Sequence, residues 1–562
     1  MTWNERPKRS RRLLAAWALV AAWALVAVWG AAWLASVPAA AAAEGASTLS
    51  PDPELTARAI LLDSDPDSAL TIALAATQGA PLTLAEATAA ALQNATAVRE
   101  SRGALLAARG AMRAEKGVFD PELFAEISHA EDEVPTSSPF SGASVLRTKE
   151  QLASGGARVK LPTGTELTAS VETSRLDTNS DFAGVNPQYD AAAALEFRQP
   201  LLKGFGPGAW GTRNAAVRTY EAARARYGDA VQRMRAQAEQ TYWDLYAAER
   251  DLAVQRLIRD RAAAFTDQAQ KREKAGLAGP SLVANARVFW SEQEQAVLDR
   301  EEQYDRISDR LASLLGKRPA DGQGRFRPVD EPPRDFTVEP EDSVVARAVA
   351  NNHGLTAAER DVASARALSR EAKWNAYPQV DLFGSIGGVG LAGRSRDIVF
   401  GGDTLRANVT GSRGDAFSDA IERNAPNWSL GARVTVPLGF RQGRGEHQRA
   451  KGELEQAEQR HVAARHALEE QVRAAHRELV HSVKRLDAAR IGVDAALEQA
   501  RIGILEYNNG RTTSFDLVRL GADVASSQQR YSQAIVRTAK AVAELRWLTS
   551  SGDVAGATST GN

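Results

Sequence analysis

The chain has 562 residues, with 69 basic against 70 acidic side chains and no cysteine. The balanced charge gives no bulk attraction to nucleic acid or to anionic lipid. The lack of cysteine removes disulfides, thiol catalysis, thiolate metal sites and acylated cysteine anchors.

Arg6, Lys8, Arg9, Arg11 and Arg12 precede an apolar run of 22 residues, 13–34, and an alanine tract ending at Ala43. A basic region, an apolar region and small residues before a polar chain read as a secretory signal over 1–43. The run is also long enough for an uncleaved membrane anchor. Residues 44–82 form a polar and alanine-rich extension. No later stretch holds about 18 uninterrupted apolar residues. If the mature chain crosses a membrane, a closed sheet must carry it, because only a closed sheet satisfies its own backbone in lipid.

Beyond the extension the chain repeats itself. With Asn94 set on Asn351, Ala91 meets Ala348, Lys116 meets Lys373 and Pro121 meets Pro378, all at an offset of 257. Further on, Leu245 matches Leu479, Gly276 matches Gly510 and Leu311 matches Leu545, at an offset of 234. At Pro200-Leu201 against Pro437-Leu438 the offset is 237, so the first copy carries 20 more residues between its two extended segments; loops tolerate such insertions. Repeat one covers 83–315 and repeat two 340–549, each reading helix, strand, variable loop, strand, very long helix, turn, helix. Residues 316–339, with Pro319, Pro328, Pro332 and Pro333, break the helical pattern between them, and 550–562 form a tail.

Strands are expected at 121–131, 189–199, 378–390 and 428–438. In the last, Trp428, Leu430, Ala432, Val434 and Val436 share one face, and Ser429, Gly431, Arg433 and Thr435 the other. That alternation fits a lipid-facing wall around a wet lumen, or an ordinary half-buried strand. Residues 158–171 are also strand-like, as an extra hairpin or a displaced strand boundary. Long helices are expected over 213–274 and 446–509, each roughly 93 Å at 1.5 Å per residue. Tyr227, Val231, Met234, Ala238, Thr241, Leu245, Ala248 and Leu252 step by 4 and 3, as a coiled-coil seam does. Half-length helices over 83–116, 281–315, 340–373 and 515–549 stack end to end to match the long ones. Four strands cannot close a useful bore, so transmembrane strands would require oligomerisation.

The duplication, the segment Gln199-Pro200-Leu201-Leu202-x-Gly204 and the turn Tyr507-x-x-Gly510 followed by Asp516-Leu517 resemble the TolC-type outer-membrane factor (outer membrane efflux protein) family over residues 83–548. The resemblance implies an α+β membrane protein: a tandem-duplicated protomer of a trimeric 12-stranded outer-membrane β-barrel continued by a long antiparallel α-helical coiled-coil tunnel in the periplasm. It implies a homotrimer in outer-membrane lipid, without enzyme activity or cofactor. The implied role is an exit duct for small molecules or polypeptides in a tripartite efflux or type I secretion system. Partners would be a periplasmic adaptor (a membrane fusion protein) and an inner-membrane RND, ABC or MFS transporter. A periplasmic coiled-coil adaptor is the alternative, but an adaptor has one helical hairpin and this chain has two.

The resemblance also places residues. A gate at the tunnel end would use Tyr507, Arg511, Asp516, Arg519, Leu282 and Leu517. Three polar positions of the family's lock differ here, so apolar packing through Leu282 and Leu517 is expected to hold it shut; Asp516 could equally serve as a helix cap. The tips Gly276, Leu277, Gly510 and Thr512 would dock the adaptor. Phe119, Phe124, Phe205, Trp210, Trp374, Tyr377 and Phe440 lie where helix meets strand, as a membrane-interface girdle or as packing at a junction.

Other motifs carry little. Gly204, Gly206, Gly208 and Gly211 lack the spacing and the parallel strand unit of a nucleotide site and read as a joint between strand and helix. His461/His466 and His476/His481 are spaced i, i+5, too far around a helix to share a metal. Glu469 and Glu470 sit in charge-rich helix faces.

Overall fold

The computed structural model describes residues 66–137, 141–319, 324–400, 402–509 and 511–550. The expected signal segment, most of the N-terminal extension and nearly all of the tail lie outside the described residues. No described helix is long and apolar enough to cross a membrane.

In chain order, repeat one contains α2 (Leu84–Asn94), α3 (Thr96–Gly117), β2 (Glu122–Pro135), β3 (Val145–Lys160), β4 (Glu166–Thr178), β5 (Val185–Pro200), α4 (Pro207–Lys274) and α5 (Pro280–Leu315). A short helix α1 (Pro66–Ala75) and strand β1 (Ala80–Leu82) precede it. The linker carries β6 (Phe326–Pro328). Repeat two contains α6 (Glu341–Asn351), α7 (His353–Asn375), β7 (Gln379–Ser395), the hairpin β8 (Asp397–Phe400) and β9 (Asp403–Arg406), α8 (Arg413–Glu422), β10 (Ala425–Thr435), α9 (Arg441–Asn508) and α10 (Ser514–Leu548).

Each long helix spans 68 residues, slightly more than the pattern suggested, because Pro207 at the first turn and the Phe440 turn start them earlier. Each entering helix is broken once, at Ala95 or Asn352, whose extended ψ interrupts the helix. Beside each break an asparagine donates Nδ2 to the last carbonyl of the returning helix: Asn94 to Leu315 and Asn352 to Leu548, both at 3.0 Å. The half-length helices are thereby tied end to end, which is what lets two of them run alongside one long partner.

The seam residues of α4 are buried, Val231, Met234, Ala238, Leu245 and Leu252 among them, as are Leu468, Val472, Leu479 and Leu486 of α9. The largest core lies at mid-height of α4. Tyr242, fully buried, donates its hydroxyl to the Leu82 carbonyl (3.0 Å) and accepts from the Val329 and Asp330 amides (3.1 and 3.0 Å). Tyr304 donates to the Phe326 carbonyl at 2.7 Å. These hydroxyls pin the linker against the helices, where β6 pairs in parallel with β1. A segment that proline keeps out of helix thus satisfies its backbone by a two-strand patch and two buried phenols.

The strand count differs from the sequence-based expectation. Four strands were expected, but one antiparallel six-stranded sheet forms, in the order β10-β7-β5-β4-β3-β2. Residues 158–171 fall in an extra full-length hairpin, β3–β4, paired from Lys160↔Glu166 to Thr148↔Thr178. The 20-residue offset concealed it, because the matching stretch of repeat two is not a bare loop but holds β8, β9 and α8. Only the net length difference is visible in an alignment of the two copies.

Candidate functional site

The register assigns every strand residue to one of two sheet faces. The row Trp428↔Ile386, Ile386↔Leu195, Leu195↔Ala169, Ala169↔Ala157 and Ala157↔Leu123 runs across all six strands and is apolar throughout. Val434, Leu430, Val380, Leu382, Phe197, Leu167, Val171 and Ile127 share that face. Toward the strand ends far from the long helices, the same face turns polar, with His129 and Glu131 on β2, Lys149 and Gln151 on β3, and Arg175 and Asp177 on β4.

The opposite face is polar. Ser385 and Ser429 hydroxyls meet across β7 and β10 at 2.7 Å. Arg198 reaches Asp381 (3.0 Å) and Glu166 (3.1 Å), bridging β4, β5 and β7. Arg158 pairs with Glu122 at 2.6 Å, and the Arg433 guanidinium lies over the Phe383 ring. This face continues into a cavity of about 670 Å³ between sheet and helices, lined by Lys160, Glu166, Arg198, Thr435, Glu371 and Arg449. Glu371 accepts from the Thr212 hydroxyl, and burial raises its pKa.

Both outer strands of the sheet, β2 and β10, have an unpaired edge in the single chain. Trp428 is 77% exposed and Leu123 and Ile127 are 87% exposed, values that belong to a surface built to be covered.

Where sheet meets helix, Phe205 packs on Trp374 (centroids 6.1 Å apart) and Trp374 on Tyr377 (5.9 Å). Arg213 lies over Phe119 and Arg444 over Phe440. Trp210 is half-buried at the start of α4. Phe124 departs from this group: it pairs with Gly156 on the polar face between Glu122 and Glu126, away from Leu123 and Ile127. The glycine joint is real at Gly204 (φ +84°) and Gly206 (φ +53°), where the chain turns from β5 into α4.

At the other end of the helices, the α4–α5 turn holds Gly276 in the left-handed region (φ +73°), and Leu277 is 79% exposed. Leu282 and Phe289 lie partly buried against a cluster of Phe265, Ala269, Val283, Ala286 and Val518, which joins the two helical hairpins. Gln268 Nε2 and the Tyr507 hydroxyl, 3.4 Å apart, link α4 to α9. Asp516 is occupied locally: it accepts from the Thr513 hydroxyl (2.6 Å), the Thr513 amide (3.2 Å) and the Thr512 hydroxyl (3.1 Å). Those bonds hold its carboxyl below the usual range. Arg511 and Arg519 are exposed. Gly510 and the Leu517 side chain lie outside what is described. Sequence reasoning missed Glu249, buried on α4 against the linker; burial pushes its pKa up to about 7, with Arg327 and Arg250 opposing. Among the described residues no group of three or more His, Asp or Glu could hold a metal ion.

Residues 164–317 match the family model described as outer membrane efflux protein. Over 83–84% of its length the chain is similar in fold to solved structures, three of which are as follows. The outer-membrane channel OprN is 17% identical, with a TM-score of 0.58 over 84% of this chain and 90% of that one. The CmeC outer membrane channel of Campylobacter jejuni is 11% identical, with a TM-score of 0.57 over 83% and 85%. The outer membrane protein VceC of Vibrio cholerae is 15% identical, with a TM-score of 0.56 over 83% and 95%. No curated protein matches by sequence.

Proposed function

We propose that the protein is the exit duct of a tripartite efflux or type I secretion assembly, set in the outer membrane with its helices in the periplasm. The observation that carries this reading is the amphipathic sheet with two open edges on top of the helical hairpins. An open edge in lipid leaves backbone groups unsatisfied, so β10 of one copy must pair with β2 of the next. Three six-stranded sheets close as an eighteen-stranded barrel, in place of the twelve strands the family resemblance implied. Barrels of that strand number leave an aqueous channel.

In this assembly the face carrying Trp428, Leu195 and Leu123 meets lipid, and the face carrying Arg198, Glu172 and Ser429 lines the lumen. Phe205, Trp374, Tyr377, Phe119, Trp210 and Phe440 mark the periplasmic interface; Phe124 belongs to the lumen. A periplasmic adaptor and an inner-membrane RND, ABC or MFS transporter complete the assembly, docking at the tips around Gly276, Leu277, Gly510 and Thr512. The tips close at rest through the apolar cluster that includes Val518 and against which Leu282 packs, helped by the Tyr507–Gln268 link. Asp516 acts first as the cap of α10, a role its three accepted hydrogen bonds already fill. The adaptor alternative has no counterpart for the six-stranded sheet.

The test is purification from outer-membrane fractions followed by planar-bilayer recording. Heat-modifiable trimers of low basal conductance are expected, and Leu282→Ala should raise that conductance several-fold. Monomers that never conduct would overturn the duct.

A further inference from the structure

Helix α8 sits in an unexpected place. It packs not on the polar face of the sheet but on the apolar one, over β7 and β5. Ala416 and Ala420 are buried there against Ala191 and Ala392. The approach is backbone to backbone: a Cβ at Gly390 would stand 1.9 Å from the Ala416 carbonyl oxygen, and one at Gly388 would stand 2.4 Å from that of Ala420. Glycine at both positions is what allows the helix to lie flat on the wall.

The footprint of α8 falls where the apolar rows end and the polar rows begin. On the duct reading, on which this inference rests, that height is the outer leaflet interface. Beneath the helix runs a groove of about 400 Å³, lined by Ala169, Val171, Ala193, Leu195, Ile386 and Ile421. The one charged residue on its lining is Arg423. Arg423 adopts a left-handed conformation (φ +60°), and its Nε donates to the Gly387 carbonyl at 3.1 Å. No carboxylate pairs with its guanidinium among the described residues. Two of the nearby acids are occupied locally: Asp415 caps α8 by accepting from Ser412, and Asp419 accepts from the Asn424 side-chain Nδ2 at 2.7 Å; Glu422 is exposed.

We propose that this groove holds one acyl chain of an anionic, phosphate-bearing lipid of the outer leaflet, with Arg423 against its headgroup. From Arg423 the apolar lining runs across the strands through Ile386, Leu195 and Ala169, register neighbours in one row, so an extended chain can lie along the wall with its headgroup at Arg423. A guanidinium suits phosphate because its planar fork offers two parallel donors and is weakly hydrated. Helix α8 thus acts as a clamp that fixes the barrel to the outer leaflet.

Trimers in mild detergent would be mixed with vesicles of dimyristoyl phosphatidylglycerol or of dimyristoyl phosphatidylcholine and then examined by native mass spectrometry. The expected result is retention of up to one phosphatidylglycerol per protomer and weak retention of phosphatidylcholine. Arg423→Asn, which keeps the left-handed turn, should lower retention about tenfold, the scale of one lost charge-assisted contact. Ala169→Phe, which fills the groove and leaves Arg423 in place, should lower it comparably. Equal retention of the two lipids by the wild type, or undiminished retention in either variant, overturns the proposal. Bilayer conductance of the same preparations separates the two readings: trimers that conduct without holding lipid leave the duct standing and remove the clamp.

Discussion

At the scale of single residues, burial decides what polar groups do in this protein. Tyr242 and Tyr304 are buried because their hydroxyls take over the backbone of the linker, and their pKa values rise with that burial. Glu249 has no such compensation. Burial pushes it up to about 7 from an ordinary 4.5. A carboxyl raised in the folded state binds its proton more tightly there than in the unfolded chain. Its contribution is therefore fully present below about pH 4.5 and is lost as pH rises through about 7, at a cost of at most about 3 kcal/mol. Glu249→Gln should raise the thermal unfolding midpoint at pH 8 by several degrees and leave it nearly unchanged at pH 4.5. An equal gain at both pH values would mean that charge is not the cause. Asp516 shows the opposite case. Half-buried and capping its own helix, it has its pKa lowered by the Thr513 and Thr512 bonds, so its cap is present at neutral pH and weakens only as acid protonates it.

At the scale of elements, the period-two pattern of a strand fixes its two faces but not its neighbours. The alternation in β10 and β7 was legible from residues such as Trp428, Leu430 and Val434, and the pairing Val434↔Val380 puts like with like. Cysteines at Ser429 and Thr435 should react with a small hydrophilic reagent, and one at Val434 with a lipid-soluble reagent. The reverse pattern would show a register slip of one residue, which turns every side chain over. Strands β3 and β4 were visible only as a strand-like run at 158–171. Their partnership depends on contacts such as Ala157↔Ala169 and Ala157↔Leu123, whose residues are 12 and 34 positions apart. The glycines at 388 and 390 read as weak strand formers, and their purpose appears only with α8 laid over them.

At the scale of the whole molecule, the two repeats place one hairpin beside the other and put both turns at one end. Phe265 and Val283 of the first hairpin then share one apolar cluster with Val518 of the second, and Leu282 packs against it. The turns project furthest from the sheet, and Leu277 is exposed at the extreme end. Leu277→Glu should abolish export while trimers persist in outer-membrane fractions. Full export by that variant would move adaptor docking away from this tip.

The sequence by itself determined the duplication, the long helices and the amphipathic strands, because each is written in local periodicity: 3.5 to 3.6 for the helices and 2 for the strands. The breaks at Ala95 and Asn352, by contrast, interrupt stretches that the sequence presents as single helices over 83–116 and 340–373. Only the tertiary structure decided how many strands share the sheet and that α8 covers its apolar face. Those outcomes depend on pairing between residues distant in the chain and on which buried groups find partners. Neither leaves a local period to read.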